Sequence, residues 1–337
     1  MKKVSVIIPC FNATKYLPKC FMSLVQQTIG IDQIELIFVD DASTDEDATW
    51  NMLQEFERAY PESIKILKLE ENMRQGGARN VALQYATGEY IAFVDADDFV
   101  SENFLLETYE KAKESDADII QFEYFYYTDR LGAVDSGRNI TPEVIEISSV
   151  SDRKRFLISE KVTYGCWNKL YRHTLLNEAH TAYAEHVIYE EPLFVYPLLY
   201  FANKIVILND AYYYYRQNDS GTMRNDMRQE ETLKMHADVQ LAVWNFMKKT
   251  PFFKEYYDEI KLYFLHTYLY ETLYFAKLRD FKPSYSFYKE LEKTILAEVP
   301  DYAQSTYSAL IPKQMELYRM MGEGLSLIHI SEPTRLL

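Results

Sequence analysis

The feature of the chain that most constrains its fold is an alternation of short apolar runs and amphipathic helical segments over the first 127 residues. Helical periodicity is clearest in residues 15–27, 45–60, 77–85 and 103–113. The runs between them are continuously apolar, as in strands of a parallel sheet that is covered on both faces. These runs are Val4–Ile8, Ile34–Val39, Ile64–Leu69, Tyr90–Val94 and Ile119–Tyr127. We therefore predict an α/β layer fold with a mostly parallel, Rossmann-like sheet and right-handed crossovers.

After Thr128 the alternation weakens, and the rest of the chain differs in character. Residues 150–224 mix short helical segments with one strand near Lys204–Leu208. From about Met227 the chain is helical and rich in Tyr, Leu and Lys. Residues 325–337 include a stretch that resembles a translated sequencing-adapter read-through, so we assign them no part in the fold.

Charge and apolar content exclude several classes of protein. The 36 Lys and Arg residues against 51 Asp and Glu residues give a net charge of -15, which argues against a general nucleic-acid binder. The longest apolar run, Pro192–Ala202, is shorter than the ~20 residues of a membrane span. The N-terminus has no signal-peptide pattern, and three scattered cysteines do not form a disulfide framework or a zinc site. We expect a cytoplasmic protein.

Polar residues follow three of the predicted strands at the point where each strand ends. Pro9-Cys10-Phe11-Asn12 follows the first strand, Asp40-Asp41 the second and Asp95-Ala96-Asp97-Asp98 the fourth. In an open parallel sheet, ligands bind beyond the carboxyl ends of the strands. We therefore expect these residues to line one binding crevice.

The motifs that are missing exclude several classes of nucleotide-binding protein. The turn after the first strand has no glycine, which excludes the dinucleotide fingerprint, and no Walker A sequence is present. The glycine-rich basic loop of sugar-phosphate nucleotidyltransferases is also missing. The Asp95-x-Asp97 spacing offers oxygen ligands that suit Mg²⁺ or Mn²⁺, completed by water and substrate phosphate. A solvated acidic loop is the alternative interpretation.

Four segments in the first hundred residues carry a family resemblance. They are residues 4–12 (VSVIIPCFN), 39–45 (VDDASTD), 78–80 (ARN) and 88–98 (GEYIAFVDADD). In order and spacing they resemble the family 2 glycosyltransferases of GT-A fold, of the bacterial surface-polysaccharide type. The resemblance continues through residues 167–171, 189–194 and 213–216 and covers about residues 3–224.

The resemblance implies an inverting transfer of a sugar from a nucleotide diphosphate donor, usually UDP-linked, to an acceptor hydroxyl. By position, it assigns the nucleotide pocket to Pro9, Phe11, Asp41, Arg79 and Asp95. It makes Asp97 the metal ligand, Glu191 the catalytic carboxylate, and Trp167 and Glu190 acceptor-side residues. Phe11 replaces the commoner Tyr, Ala42 replaces Gly, and Glu191 replaces the usual Asp, which adds one methylene to the reach of the base.

The resemblance also implies a domain organisation and a set of ligands and partners. Residues 1–130 would bind the nucleotide-sugar, 131–224 would form the acceptor side of the GT-A domain, and 225–324 a helical C-terminal extension. The expected partners are a UDP-sugar, Mg²⁺ or Mn²⁺, and a saccharide or lipid-linked saccharide acceptor. A peripheral position at the inner face of the cell membrane is compatible with such an acceptor. The alternative is a noncatalytic module of the same fold that binds nucleotide-sugars or assembles with other proteins.

Several of these residues also have structural interpretations. Ser43 with Glu46 matches a capping box at the start of the second helix. Asp98 suits a turn, and Arg216 either an ordinary surface ion pair or a diphosphate contact. Trp167 suits either core packing or the acceptor site. Pro192 fits the first turn of a helix, so Glu190 and Glu191 could instead complement the helix dipole.

Overall fold

The computed structural model describes residues 2–217, 230–278 and 280–310. The chain divides into two compact units, Met1–Asn218 and Asp219–Leu337. The predicted division into regions ending at residues 130, 224 and 324 stays a prediction, and residues 325–337 lie outside the described residues.

The first unit is built on one mixed sheet of ten strands in the order β3-β2-β1-β4-β9-β6-β10-β5, with β7 paired to β6 and β8 to β10. The strands are β1 Val4–Cys10, β2 Ile34–Asp40, β3 Ile64–Lys68, β4 Tyr90–Phe93, β5 Phe99–Val100, β6 Ile119–Thr128, β7 Gly132–Asp135, β8 Glu143–Glu146, β9 Lys169–Arg172 and β10 Lys204–Arg216. The helices are α1 Leu17–Val25, α2 Ala48–Ala59, α3 Arg74–Leu83, α4 Phe104–Ser115, α5 Val150–Leu157, α6 His173–Ala179 and α7 Glu191–Phe201, with a short 3₁₀ turn at Ile31–Gln33.

The predicted parallel sheet is present in β3, β2, β1 and β4, and again between β6 and β10. All residues of β1, β2 and β4 are buried, as their continuous apolar runs require. Val6 and Ile8 belong to a core that α1, α2 and α4 share, while Phe93 packs edge-on against Phe194 of α7. The α/β fold expected from the sequence is therefore confirmed.

The later strands depart from that pattern. β9 lies antiparallel between β4 and β6, and no sequence signal predicted it. β10 extends to Arg216 rather than ending near Leu208, because it crosses irregular register shifts while it pairs with β6. The sheet is therefore mixed beyond β4.

The predicted capping box at α2 is wrong. Glu46 and Asp47 have left-handed φ angles of 57° and 62°, and they separate Ser43 from the first helical residue. Ser43 Oγ instead accepts a hydrogen bond from the N–H of Asn12 at 3.0 Å. Near the start of α2, it is the carboxylate of Asp45 that accepts a hydrogen bond from a backbone N–H, that of Thr49, at 3.1 Å.

The described part of the second unit is helical, as predicted. Its elements are α8 Glu230–Met247, α9 Tyr257–Phe264, a π-helical segment Leu265–Glu271, α10 Thr272–Leu278, α11 Tyr285–Glu298 and a 3₁₀ turn at Ser308–Leu310. Trp244 is buried among them, stacks on Phe264 and donates its indole N–H to Glu298 at 2.8 Å. None of the described helices in either unit is long and apolar enough to cross a bilayer.

Candidate active site

The ends of β1 and β2 form one edge of the site. Pro9 is buried inside β1, whereas Phe11, just beyond the strand, is 48% exposed. Asn12 adopts a left-handed φ of 49°, and its side-chain oxygen accepts from the N–H of Thr44 at 2.8 Å. These bonds hold the two strand-end loops together and leave the Phe11 ring available for stacking.

Asp41 lies at the carboxyl end of β2 and is buried. Its N–H donates to the carbonyl of Cys10 at 2.8 Å, and its Oδ1 accepts from the N–H of Met73 at 2.7 Å. Burial raises the pKa of Asp41 to about 6, against the opposing effect of the N–H donors of Met73 and Arg74. The residue is thus held in place by the segment that leads into α3.

The three aspartates after β4 have different surroundings. Asp95 is half-buried and accepts from Arg79, whereas Asp98 is buried and accepts from Tyr213 Oη at 2.6 Å and from the N–H of Arg216 at 2.7 Å. Asp97 is half-buried, and its backbone carbonyl accepts from Arg216 Nε at 2.8 Å. The N–H of Asp98 also donates to the carbonyl of Asp95 at 3.0 Å, so Asp98 closes a turn, as expected, and in addition anchors the loop to β10.

Arg79 connects the strand-end loop to the start of α7. Its guanidinium is buried, with Nη2 2.6 Å from Asp95 Oδ1 and Nη1 2.5 Å from Glu190 Oε1. A planar guanidinium suits such a double contact because its donors form a rigid fork. The sequence placed all three residues in the site, and the structure brings them into one salt-bridged group.

Glu191 is the first residue of α7, and its side chain points back toward the loop before β9. Its Oε1 accepts from the N–H of Cys166 at 2.7 Å. Burial and then the charge of Glu190 raise the pKa of Glu191 to about 7, although Arg79 and the Cys166 N–H oppose the shift. The side chain is still partly accessible. Such a carboxyl group is suited to accepting a proton near neutral pH.

The alternative that Glu190 and Glu191 only complement the helix dipole receives little support from their contacts. Pro192 is in the first turn of α7, as predicted, but in this described region Glu190 makes no side-chain capping bond to the helix. The two carboxylates instead contact Arg79 and Cys166.

Close packing against α3 fixes the segment that precedes Glu191. A Cβ atom on Gly76 would lie 2.1 Å from the carbonyl oxygen of Ala184 and 3.0 Å from Glu190 Cβ. The side chain of Asn80 donates to the carbonyl of Tyr183 at 3.0 Å and accepts from its N–H at 2.8 Å. Only a glycine fits at position 76 without displacing this segment.

Trp167 lies half-buried beside the residue that binds Glu191. Its ring stacks on Tyr215 at 5.4 Å and packs against Tyr213 and Tyr124 at 4.7 and 4.8 Å. Part of its role is therefore packing, and its assignment to the acceptor side stays a prediction. Arg216 is buried and forms an ion pair with Asp129 at 2.5 Å, so it makes an ion pair, but not the surface pair expected from the sequence.

Sequence reasoning missed several residues that position the site. Gly76 leaves room for the backbone of Ala184, and the side chain of Asn80 bonds to the backbone of Tyr183. Tyr213 binds Asp98 from a strand that lies far away in the chain. Lys169 is wholly buried beside the Cys166 loop. Asn80, Lys169 and Tyr213 lie in segments that carry the family resemblance, which was the one signal that could have found them.

The comparison with protein families decides the classification. A family model described as glycosyl transferase family 2 matches residues 5–179. The chain belongs to this family. The matched segment contains the strand-end loops and Arg79 and stops before Glu190 and Glu191.

Individual relatives of the family agree. The glycosyltransferase GlyG of Streptococcus pneumoniae is 31% identical over 240 residues, which are 66% of this chain and 73% of GlyG. The poly(ribitol-phosphate) beta-N-acetylglucosaminyltransferase TarS of Staphylococcus aureus is 30% identical over 223 residues, 66% of this chain and 36% of TarS. The chain thus spans about a third of the length of TarS.

A solved structure shows the same fold. The crystal structure of S. aureus TarS 1-349 in complex with UDP aligns with a TM-score of 0.68 at 23% identity, covering 94% of this chain and 86% of that one. The GT-A fold expected from the sequence is therefore confirmed.

Proposed function

We propose that the protein is an inverting glycosyltransferase that moves a sugar from UDP to an acceptor hydroxyl in the synthesis of a bacterial surface polysaccharide or glycolipid. The observation that carries the proposal is the Arg79 bridge, which joins Asp95 of the strand-end loop to the Glu190–Glu191 pair. The bridge brings Asp95, on the donor side, close to Glu191, whose carboxyl group has a raised pKa. The names of the relatives, which act on poly(ribitol phosphate), support a surface-polymer acceptor.

In the proposed reaction, Glu191 takes the proton of the acceptor hydroxyl while that oxygen attacks the anomeric carbon of the donor sugar. The bond from that carbon to the UDP oxygen breaks, and its electron pair leaves with UDP. Attack opposite to the leaving group inverts the anomeric configuration. A base with a pKa near the working pH is efficient because it is deprotonated before the reaction and still accepts the proton.

The donor would lie against the ends of β1, β2 and β4. The exposed Phe11 ring beside Pro9 would contact the base or ribose, and Asp41 would hydrogen-bond the base. The charge of Arg79 is already balanced by Asp95 and Glu190, so the diphosphate requires another cation. The pool of nearby carboxylates and the net charge of -15 strengthen that requirement.

Mg²⁺ or Mn²⁺ would meet that need, and Asp97 is the residue that we propose to hold it. Mg²⁺ is commonly bound through one or two carboxylates together with substrate phosphates. Asp97 fits this mode because it is half-buried in the loop after β4 and is the residue that the family resemblance makes the metal ligand. When bound, the metal would neutralise charge on the departing diphosphate.

The acceptor would approach from the side of Trp167 and Glu190, next to the Cys166 N–H that binds Glu191. A saccharide suits this place because aromatic rings offer an apolar face beside polar groups. For a lipid-linked acceptor the protein would act at the cytoplasmic face of the membrane.

The test is a panel of UDP-sugars that includes UDP-N-acetylglucosamine and UDP-glucose, with and without Mn²⁺. Thermal shift identifies the donor, because a ligand that binds only the folded state raises its stability. Release of UDP, with and without a ribitol-phosphate polymer, then measures catalysis. We expect one UDP-sugar to be turned over. Binding of a donor without any UDP release would favour the noncatalytic binding module instead.

A further inference from the structure

Residues 163–168 form the second part of the connection between α5 and β9, and they pass directly beside Glu191. We call them the 163–168 loop. Gln121 on β6 holds the beginning of the loop, because its Oε1 accepts from the N–H of Thr163 at 2.9 Å. Asn168 holds the end, since its Nδ2 donates to the carbonyl of Phe122 at 3.2 Å. The loop is thereby anchored to the sheet at both ends.

The middle of the loop is held by Lys169, which is wholly buried. Its Nζ lies 3.0 Å from Thr163 Oγ1, 2.5 Å from the carbonyl oxygen of Gly165 and 2.8 Å from Asn168 Oδ1. An ammonium group has three N–H donors and no acceptor, so these three oxygens match its charged form. Burying such a charge is costly unless its hydrogen bonds are satisfied.

The bond to Gly165 is the important one, because the next residue carries the N–H that binds the proposed base. Cys166 donates this N–H to Glu191 Oε1 at 2.7 Å. A hydrogen bond to the ionised carboxylate favours the charged form and keeps the pKa lower than burial alone would set it. The Gly165 carbonyl and the Cys166 N–H belong to one planar peptide unit and point in opposite directions, so Lys169, which holds this carbonyl oxygen, also fixes the direction of the N–H.

We infer that Lys169 is a positioning residue for the transfer reaction: its ammonium group fixes the 163–168 loop so that the Cys166 N–H stays on Glu191 and keeps this base ionised. The inference rests on the proposed function and deepens it. Burial lowers the pKa of Lys169 to about 7, and the charge of Glu191 is the largest effect that opposes the shift, so the two groups lie within electrostatic reach.

Several other groups act on Glu191, and the experiment has to separate them from Lys169. Arg79 on α3 and the Cys166 N–H favour its charged form, whereas Glu190 and Asp95 disfavour it. Glu191 in turn acts on Tyr171 of β9 and Tyr215 of β10. A change at Lys169 leaves Arg79, Glu190 and Asp95 in place, because the Lys169 ammonium group bonds to Thr163, Gly165 and Asn168. Its removal also takes away a charge that acts on Glu191, and this charge is retained when Thr163 is changed instead.

The decisive variant is Lys169→Met, which keeps the length and removes the charge. We expect the acidic limb of the UDP-release profile to move upward by about one pH unit, the size expected for losing a hydrogen bond to a charged group. UDP affinity, measured by calorimetry, should stay within about twofold, because the donor residues lie elsewhere. Lys161→Met is the matched control, because Lys161 lies two residues before the 163–168 loop but pairs with Glu143 at the surface. Its acidic limb should not move.

A second variant protects the test against misfolding. Thr163→Val removes one acceptor of Lys169 while the N–H of residue 163 can still reach Gln121, and we expect a smaller shift in the same direction. An unchanged acidic limb in the folded variants, with only a lower melting temperature, would overturn the inference and leave Lys169 a packing residue. If the wild-type protein releases no UDP from any donor, the proposed function fails instead.

Discussion

At the scale of single residues, the site shows that identical carboxylates acquire different roles from their partners. Asp98 is buried and accepts two hydrogen bonds from β10, so its loss would leave the O–H of Tyr213 and the N–H of Arg216 without their acceptor. Asp95 is neutralised by Arg79. Asp97 is the carboxylate that the family resemblance makes the metal ligand. The letters alone do not separate these roles.

Asp97→Ala and Asp98→Ala test this separation. Asp97→Ala should abolish the increase in UDP affinity that Mn²⁺ causes. Asp98→Ala should cost about 1–3 kcal/mol of stability, because it leaves buried polar groups unsatisfied, yet retain the Mn²⁺ effect in the folded protein. Calorimetry with UDP, with and without Mn²⁺, and thermal melts distinguish the two. Equal Mn²⁺ effects in wild type and Asp97→Ala would remove the metal from this residue.

Glu191→Gln tests the base. The rate of transfer by the wild type should fall as the pH drops below about 7, because Glu191 then becomes protonated. The amide variant should bind the UDP-sugar and lose ~10²–10⁴-fold in rate. Glu190→Gln is the neighbouring comparison and should keep more activity, because Glu190 binds Arg79 rather than taking the proton.

The stability of the same variant tests the helix-cap alternative. The pKa of Glu191 is raised in the folded state, so the folded protein binds a proton more tightly than the unfolded chain does. Its contribution to stability is then present at low pH and lost as the pH rises through about 7. Glu191→Gln avoids this loss and should melt at an equal or higher temperature above pH 7. A lower melting temperature there, with transfer unimpaired, would make Glu191 a cap.

At the scale of secondary-structure elements, the strands and helices that could be predicted were those whose own residues carry a clear pattern. β1, β2 and β4 were predictable because continuous apolar runs are typical of strands buried on both faces. β9 was not, because its four residues begin with a lysine and end with an arginine and so form no apolar run. The capping box at α2 failed because residues in left-handed conformation intervene, and nothing in a Ser-x-x-Glu pattern reports φ. The resemblance predicted the candidate site residues as a set, whereas the Arg79 bridge depends on long-range packing.

Gly76→Ala tests how α3 supports the base. In an exposed helix, replacing glycine by alanine typically gains up to ~1 kcal/mol. Here the new methyl group would meet the carbonyl of Ala184 and the side chain of Glu190, so we expect a loss of about 1–3 kcal/mol. The transfer rate should fall more than the UDP affinity, because the displaced segment leads to Glu191. Gln84→Ala, exposed at the end of the same helix, is the control. A stabilised and fully active Gly76→Ala protein would contradict the close packing.

At the scale of the whole molecule, the site residues are all contributed by one of the two compact units. Residues from Pro9 to Glu191 lie within Met1–Asn218, and so does β10, which anchors Asp98. The family match likewise falls entirely within this unit. The second unit is helical in its described part and supplies none of the residues that the sequence assigned to the donor. Donor binding and the second unit are therefore separable by experiment.

A fragment of residues 1–217 tests that separation. It retains the ends of β1, β2 and β4, the Arg79 bridge and the full length of β10, so we expect it to bind UDP in Mn²⁺ with an affinity within about threefold of the full chain, a difference of less than ~1 kcal/mol. Circular dichroism melts establish that the fragment is folded, and calorimetry with UDP measures the affinity. Asp97→Ala in the fragment should remove the Mn²⁺ effect as it does in the full chain. If the folded fragment fails to bind UDP while the full chain binds it, residues after 217 are needed for the donor, and the assignment of the donor site to the first unit alone is wrong.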